Sequence, residues 1–514
     1  MKKNLTLLLA FTLLFSACKK DQNSTSINLQ QPEKRWSIKE MDDFIVQTIN
    51  DKQTVFDWKD APADMLYSAL ISTDNIMAIG FKPADAKDED SQSYKATTDK
   101  NWKSAKDALV KMIVESEQRA NPSVDYSKFE IGTDFDNLNA FYIKISNFET
   151  IQKLRQSPLV RYAYPSGYST EDHQLSQRGE SGCDGYVGEN LVAGTDYVTI
   201  SPNAKQSWTY SYQQIAQAWA RTTGAGVKVM VIDAGFSSAQ TMLQSANWAS
   251  GSSLPTRTIE LLSRYPSQLN FWGTSVVSYD PSPYSSCGHG TTMAGIVGSP
   301  RNNVGTSVGV AYNANLVCVR AVEDVVISNS KEELGVAAAL NLAASRSDIK
   351  IVSMSLGSIF SRSVIGDAIK AVRNAGKLPF CAAGTSTDFT TWFGVVYPAS
   401  MAEAIAVTGV TEKGQICPVC HEGSAVDYVA VMDRASDGLS VLSLAVTGNL
   451  PATIGGSSAA TAKTAGIAAL VWARQPSQTA AQVLTRLTNA GSYYPTKTAY
   501  KGWGIVNANA ATNF

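Results

Sequence analysis

Apolar residues follow two different patterns along the chain, and the pattern changes at about residue 200. From residue 206 onward, short apolar runs that end in glycine or a polar residue alternate with helical stretches. The runs are VKVMVIDAG, LVCVRAV, IKIVSMSLG, LPFCAAG and AIAVTGV. Strands that are apolar on both faces are typical of a parallel sheet covered by helices. The pattern therefore predicts an α/β fold for residues 206–514, with a doubly wound, mostly parallel sheet and a site beyond the carboxyl ends of its strands.

The pattern between residues 36 and 170 is mixed and predicts a separate, smaller α+β domain. A helix over residues 38–49 precedes six elements in the order β-α-β-β-α-β, which is the ferredoxin-like arrangement. The six are predicted over residues 75–81, 101–117, 128–132, 139–146, 148–157 and 160–165. Residues 171–205 are rich in small polar residues and have no period, so we expect an exposed connection between the two domains.

The N-terminus has the pattern of an export signal. Lys2 and Lys3 precede an apolar run over residues 5–15, which is too short to cross about 30 Å of hydrocarbon as a helix. The following Ser-Ala-Cys resembles the processing site of bacterial lipoproteins, in which Cys18 would be lipidated. An ordinary secretory signal, in which Cys18 has no role, is the alternative. We predict a signal peptide over residues 1–17, a polar tether over 18–35, and a location outside the cytoplasm, either lipid-anchored in the bacterial cell envelope or secreted.

Composition narrows the classes of function. Hydrophobic residues make up 44% of the 514 residues, which excludes a largely disordered chain. The formal net charge of −1 disfavours a general polyanion binder, so we predict no nucleic-acid partner. The chain has only three histidines, and each is therefore a candidate for chemistry. His173 lies in the polar connection, where we expect it to be exposed to solvent.

Export would expose the cysteines other than Cys18 to an oxidising compartment. Cys318 and Cys381 lie in apolar runs and are predicted to be buried free thiols. Cys183 and Cys287 form a possible disulfide, although the sequence does not determine the pairing.

The segment CPVCH over residues 417–421 allows several interpretations. It matches the C-x-x-C-H pattern of haem attachment, and its two cysteines with His421 would also suit zinc. A tight Cys417–Cys420 disulfide or a pair of free thiols are the other interpretations.

Three segments contain the residue types that nucleophilic catalysis needs. Asp233 follows the apolar run VMVI, His289 lies between glycines in SSCGHGTTMAG, and Ser458 follows a Gly pair at the start of a helix of small residues. A serine hydroxyl needs a base at neutral pH, and the base needs a carboxylate to orient it. Taken singly, the three residues also suit a strand end, a packed histidine and a helix N-cap. Their combination favours a catalytic triad.

The three segments resemble, in the same order, the signature blocks of subtilisin-like serine peptidases (subtilases), which read VIDTG, HGTHVAG and GTSMATPHVAG. GVAYNANLVCVRAV, VSMSLGS and GWGIVNANAA are also similar to subtilase blocks, so the resemblance covers residues 206–514. It implies a serine endopeptidase that hydrolyses polypeptides. Ser458 would attack the scissile carbonyl, His289 would transfer the proton, and Asp233 would orient the imidazole.

The smaller domain also resembles part of this family. YIKISNFETIQKLRQSPLVRYAYP is similar to the end of the inhibitory propeptide that precedes subtilase domains. This resemblance implies that residues 36–170 are an intramolecular inhibitor and that the protein is made as a proenzyme. The sequence identifies no cofactor with certainty, and calcium is implied only by the resemblance to the family. A lipid anchor is the only membrane contact that we predict.

The resemblance also implies a set of residues that bind the substrate. A short strand would pair with the extended peptide, and small residues would line the primary specificity pocket. Those residues are Ser355, Leu356 and Gly357 in the strand, and Ala382, Ala383, Gly384 and Val396 in the pocket. Val396 stands where a glycine commonly forms the pocket floor, so we predict a shallow pocket that prefers small or medium apolar side chains.

One departure from the family bears on turnover. Most subtilases supply a second oxyanion donor from an asparagine in a block like AAGN, whereas this chain has CAAGTSTD, with Thr385 at that position. A threonine hydroxyl is one bond nearer the backbone, so it would fall about an ångström short unless the loop lies further inward. A second interpretation therefore stays open, namely a catalytically impaired subtilase-fold protein that binds peptides or partners.

Overall fold

The computed structural model describes residues 31–93, 95–125, 130–131, 138–170, 182–183, 185–269, 277–385 and 394–514. The predicted signal peptide, Cys18, most of the tether and His173 lie outside the described residues. The helices are α1 (Ile38–Lys52), α2 (Ala63–Ile71), α3 (Lys100–Ala120), α4 (Phe148–Gln156), α5 (Ile215–Ala218), α6 (Ser245–Trp248), α7 (His289–Gly298), α8 (Ser330–Ser345), α9 (Ser363–Asn374), α10 (Gly456–Arg474), α11 (Ala480–Asn489) and α12 (Ala508–Ala511). None of these helices has the length and apolar character needed to span a bilayer.

The strands form one large sheet, one smaller sheet and several two-stranded ribbons. They are β1 (Ile76–Phe81), β2 (Glu130–Ile131), β3 (Ala140–Lys144), β4 (Val160–Pro165), β5 (Tyr197–Ile200), β6 (Ala204–Ser207), β7 (Lys228–Asp233), β8 (Ile259–Ser263), β9 (Pro266–Gln268), β10 (Ser278–Tyr279), β11 (Asn315–Arg320), β12 (Ile349–Met354), β13 (Leu378–Ala382), β14 (Ile405–Thr411), β15 (Val426–Asp433), β16 (Val441–Leu444) and β17 (Pro451–Ile454).

The large sheet is parallel and covered on both faces, as predicted. Its strand order is β15-β14-β13-β12-β7-β11-β8, and each neighbouring pair is parallel. Successive side chains of a strand point to opposite faces, so Met230 and Ile232 of β7 pack in the core with α8 and α9, whereas Val229 and Val231 pack in the core with α7 and α10. This arrangement places the end of β7 and the starts of α7 and α10 around one edge of the sheet.

The smaller domain has the predicted β-α-β-β-α-β order. Its described strands form an antiparallel sheet in the order β2-β3-β1-β4, which is the ferredoxin-like topology. Before it, α1 begins with a capping box between Ser37 and Glu40 and buries one face through Met41, Ile45 and Ile49. Helix α2 was not predicted.

The connection between the domains is more regular than its composition indicates. Strands β5 and β6 form an antiparallel ribbon at its end, and Cys183 forms a disulfide with Cys287, two residues before α7. A second disulfide joins Cys417 to Cys420, and Cys318 and Cys381 are buried free thiols, as predicted. The sequence did not predict this ribbon, although Val198 and Thr199 within it are exposed to solvent, as expected for a connection.

The smaller domain packs against α8 and α9, and their side chains share one hydrophobic core. At its rim, the backbone N–H of Phe56 donates to the carbonyl of Ile359 at 2.8 Å, and the N–H of Ser361 donates back to Phe56 at 2.7 Å. The ring of Trp58 stacks on Phe360, with the two ring centroids 6.1 Å apart.

Two buried polar clusters connect the same surfaces. Arg161 on β4 makes a bidentate ion pair with Asp367 on α9, with both N···O distances 2.8 Å. On α8, the fully buried carboxylate of Glu333 accepts hydrogen bonds from the hydroxyl groups of Tyr142 and Tyr164, each at 2.8 Å. Buried charges are costly unless they are paired, so these clusters fix the orientation of the smaller domain.

Candidate active site

The end of β7 and the start of α7 bring Asp233 and His289 together. The Nδ1 atom of His289 lies 2.9 and 3.1 Å from the two carboxylate oxygens of Asp233, and both side chains are buried. A carboxylate only accepts hydrogen bonds, so a hydrogen bond between the two side chains places a proton on Nδ1 of His289. A Cβ on Gly290 would lie 2.3 Å from the carbonyl oxygen of Gly235, which explains why glycine follows this histidine.

Ser458 lies in the first turn of α10. The first N–H groups of a helix have no partner within the helix and carry partial positive charge. The hydroxyl of Ser355 donates to the carbonyl of Ser458 at 3.1 Å and ties this turn to the end of β12. Ser458, His289 and Thr385 line one cavity, which opens at the carboxyl end of the large sheet.

Thr385 is exposed beside this turn, and Ser457 connects the two. The N–H of Ser457 donates to Thr385 Oγ1 at 3.2 Å, and the two hydroxyl oxygens are 3.0 Å apart. The N–H of Gly384 donates to Ser457 Oγ at 3.1 Å. Ser457 was not among the site residues predicted from the sequence, although its position directly before Ser458 could have indicated it.

A second, narrower pocket of about 80 Å³ adjoins Ser458. Of the residues predicted to bind the substrate, it is lined by Ser355, Leu356, Gly357, Ala382, Gly384 and Val396. Ala383 is fully buried and does not line this pocket, because alternate residues of an extended segment face opposite ways. Its carbonyl instead accepts a hydrogen bond from Val396 N–H at 2.9 Å.

The predicted strand for peptide pairing is already partly paired. The N–H of Gly357 donates to the carbonyl of Val325 at 3.2 Å, and its carbonyl accepts from the N–H of Ile327 at 2.9 Å. An incoming peptide would therefore have to displace residues 325–327 to pair with Gly357. Val325 and Val326 also line the narrow pocket, which the sequence had not indicated.

The CPVCH segment forms a disulfide and contributes a pocket residue. Because Cys417 and Cys420 are bonded to each other, neither has a thiolate for zinc or a thiol for haem attachment. The ring of His421 is buried, lines the narrow pocket and lies with Nδ1 3.0 Å from the carbonyl oxygen of Gly394. Burial lowers the pKa of His421.

The sequence suggested no particular residues as calcium ligands. Within the described ranges, no group of three or more His, Cys, Asp or Glu side chains converges as metal ligands would. Hard cations such as calcium need several carboxylate or carbonyl oxygens around one point.

Comparison with known proteins places the chain in a family. The model of the subtilase family matches residues 224–504, more than half of the chain. The chain is 31% identical to a thermostable alkaline protease of Halalkalibacterium halodurans over 316 residues, which cover 61% of this chain and 75% of the relative. It is 30% identical to subtilisin Savinase of Lederbergia lenta over 59% of this chain and 98% of that relative. Among solved structures, it is similar to a protease from Pseudoalteromonas arctica at 25% identity, with a TM-score of 0.46, over 59% of this chain and 96% of that one.

Proposed function

Because this chain belongs to the subtilase family and is a subtilisin-like serine endopeptidase, we propose that Asp233, His289 and Ser458 are its catalytic triad. The observation that carries the proposal is the buried Asp233–His289 pair beside a cavity that Ser458 also lines. A non-catalytic binding protein would have no need to keep a buried carboxylate against an imidazole, since burial of a charge is costly.

The proposed chemistry is peptide-bond hydrolysis in two steps. Nε2 of His289 accepts the proton of Ser458 as the Ser458 oxygen attacks the scissile carbonyl, and the resulting imidazolium is stabilised by Asp233. The imidazolium then returns the proton to the leaving amine. Water attacks the acyl-enzyme by the same route, with His289 again as the base.

The negative oxygen of the tetrahedral intermediate needs donors that are already in place. The N–H of Ser458 in the first turn of α10 is one proposed donor, supported by the helix dipole. The hydroxyl of Thr385 is the second. Its closeness to Ser457 supports this role, since Thr385 Oγ1 accepts a hydrogen bond from the Ser457 N–H and the Thr385 hydroxyl keeps its own proton to donate.

We propose that the smaller domain is an inhibitory propeptide that is removed during maturation. It is supported by the hydrogen bonds between Phe56 and residues 359–361, because Ile359 lines the narrow pocket. A domain that contacts the wall of the substrate pocket is well placed to limit access to it. We place the processing site in the connection over 171–205, and we propose export with Cys18 as the lipidated residue or, alternatively, plain secretion.

Covalent labelling tests the proposed catalytic role. A fluorophosphonate probe reacts only with a serine that is activated by a base and an oxyanion site. We expect the probe to label the processed wild-type protein and to leave Ser458→Ala unlabelled, with His289→Ala labelled far more slowly. Ser345→Ala, which changes an exposed serine at the end of α8, is the control and should be labelled as fast as the wild type. A correctly folded, processed protein that the probe does not label would favour a peptide-binding role instead.

A further inference from the structure

The segment that contains the CPVCH motif lies against the narrow pocket beside Ser458. His421 N–H donates to the carbonyl of Gly384 at 2.9 Å, and Cys420 forms a backbone bridge with Thr385. Gly384, Thr385 and His421 all line the pocket. A motif that the catalytic chemistry does not use is therefore part of the substrate site.

The position of His421 is fixed from several directions. The hydroxyl of Thr408 on β14 donates to the His421 carbonyl at 2.6 Å, and the Nδ1–H of the ring donates to the Gly394 carbonyl at 3.0 Å. The backbone of Gly384 approaches the ring so closely that a Cβ there would lie 2.4 Å from Nδ1. Gly384 also has φ +126, a conformation that other residues rarely adopt.

The disulfide adds a covalent restraint to the same segment. Cys417 and Cys420 close a turn in which the Cys420 N–H donates to the Cys417 carbonyl at 3.0 Å. The turn rests on β14, where a Cβ on Gly409 would lie 2.7 Å from the Cys420 sulfur. His421 follows directly and has little freedom to move away from the pocket.

We propose that His421 sets the depth of the primary specificity pocket, and that the Cys417–Cys420 disulfide holds it in place. This inference rests on the proposed catalytic function and names a residue that selects its substrates. The ring and Val396 together limit the pocket to small aliphatic side chains such as Ala or Val in the residue before the scissile bond. Phe and Tyr are rejected because rigid walls accommodate extra volume poorly.

The chemistry of the ring also excludes acidic side chains. Nδ1–H is directed to the Gly394 carbonyl, and the buried ring is neutral at pH 7 because burial lowers its pKa. Leu356, Ile359 and Val326 contribute apolar surface to the same pocket. A carboxylate in the substrate would therefore lose its hydration without gaining a cation.

A cleavage series tests the inference. Peptides that differ only in having Ala, Val, Leu or Phe before the scissile bond would be compared by kcat/KM for the processed enzyme, His421→Ala and His421→Asn. Asparagine keeps an N–H donor for Gly394 and serves if the alanine variant does not fold. We expect both variants to raise the Phe-to-Ala ratio of kcat/KM by at least about tenfold, within the range for changes of pocket size. Glu422→Ala, an exposed neighbour in the same segment, is the control and should leave the ratio unchanged.

Fluorophosphonate labelling separates the two ways in which the inference can fail. Variants that are labelled at the wild-type rate but show an unchanged Phe-to-Ala ratio would overturn the role of His421 and leave the triad intact. A wild-type protein that is neither labelled nor active would overturn the catalytic proposal, and the inference would fall with it. A raised ratio with normal labelling supports both.

Discussion

The proposed oxyanion site depends on the positions of single protons. The Ser457 N–H donates to Thr385 Oγ1, and the Gly384 N–H donates to Ser457 Oγ. In the 3.0 Å contact between the two hydroxyls either can be the donor, and we propose that Ser457 donates. Thr385 then has a proton to offer to a substrate oxygen. Hydrogen bonds in such a chain polarise one another, which compensates in part for the short reach of a threonine side chain.

Removal of the Thr385 hydroxyl should slow the chemical step. We expect Thr385→Val, which keeps the shape of the side chain, to lower kcat by about 10²-fold, the lower end of the contribution of one oxyanion donor. KM should change little because the donor acts on the transition state. Thr385→Ser should retain most of the activity. An unchanged kcat in the valine variant would mean that backbone N–H groups alone stabilise the oxyanion.

Sequence alone identified the Asp233–His289 pair but not every residue that lines the pocket beside Ser458. The two candidates were found because each follows a strand or starts a helix within a recognisable block. Ala383 was placed in the pocket wrongly, although strict alternation along the extended segment would have excluded it. His421 was considered only as a metal or haem ligand, since its contact with Gly384 spans 37 residues of sequence and depends on the fold of the sheet.

At the scale of elements, helix α10 is unusual because it is buried nearly all round. Small residues allow this close packing: a Cβ on Gly466 would lie 2.7 Å from a side-chain carbon of Val310. Lys463 is the exception. Its buried amino group donates to the carbonyls of Thr209 and Val431, and no carboxylate of the described residues pairs with it. Burial holds the pKa of Lys463 well below the usual value.

Because of Lys463, the free energy of unfolding should change with pH in the alkaline range. Between the lowered pKa of the folded state and about 10.5, the unfolded chain binds one proton more than the folded one, so the free energy of unfolding rises with pH. In a Ser458→Ala background, which prevents self-digestion, the wild type should gain about 1.4 kcal/mol per pH unit over Lys463→Met in that window. Urea unfolding at a series of pH values would measure this. Parallel curves for the two proteins would contradict the assignment.

Pattern reasoning worked best for elements with a strong period or a continuous apolar run. The five strands of the large sheet named from sequence were all confirmed because strands buried on both faces need unbroken apolar residues. Helix α2 was missed because residues Met65–Leu70 are all buried and leave no polar face to reveal a helical period. The ribbon of β5 and β6 was missed because its second strand, AKQS, has almost no apolar content.

At the scale of the whole molecule, the contact between the two domains combines apolar packing with buried charge. The side chains of Arg161 and Asp367 are 5% and 4% exposed, and the hydroxyl of Tyr162 also donates to Asp367. The partners are about 200 residues apart, so no local pattern predicts them. Loss of one partner leaves the other buried and uncompensated, which costs about 3–5 kcal/mol.

Replacing Arg161 alone should therefore destabilise the contact between the two domains more than replacing Arg161 and Asp367 together. In the Ser458→Ala background, we expect Arg161→Met to weaken hydrogen-exchange protection of β1 and β4 by about 3 kcal/mol. The double variant Arg161→Met, Asp367→Leu should recover most of that loss because no buried charge is left alone. An equal loss of hydrogen-exchange protection in the single and double variants would show that the attraction between Arg161 and Asp367 stabilises the contact. The cost of an unpaired buried charge would then not explain the loss.

The hydrogen bonds between Gly357 and residues 325–327 bear on how much a longer peptide substrate gains in binding free energy. A long peptide that pairs with Gly357 replaces two hydrogen bonds with two others, so the exchange adds little net free energy. We therefore expect residues far on the N-terminal side of the cleavage point to contribute weakly to the choice of substrate. If His421 and Val396 limit the pocket as proposed, the size of the side chain that enters it should affect the rate of cleavage more than the length of the peptide does.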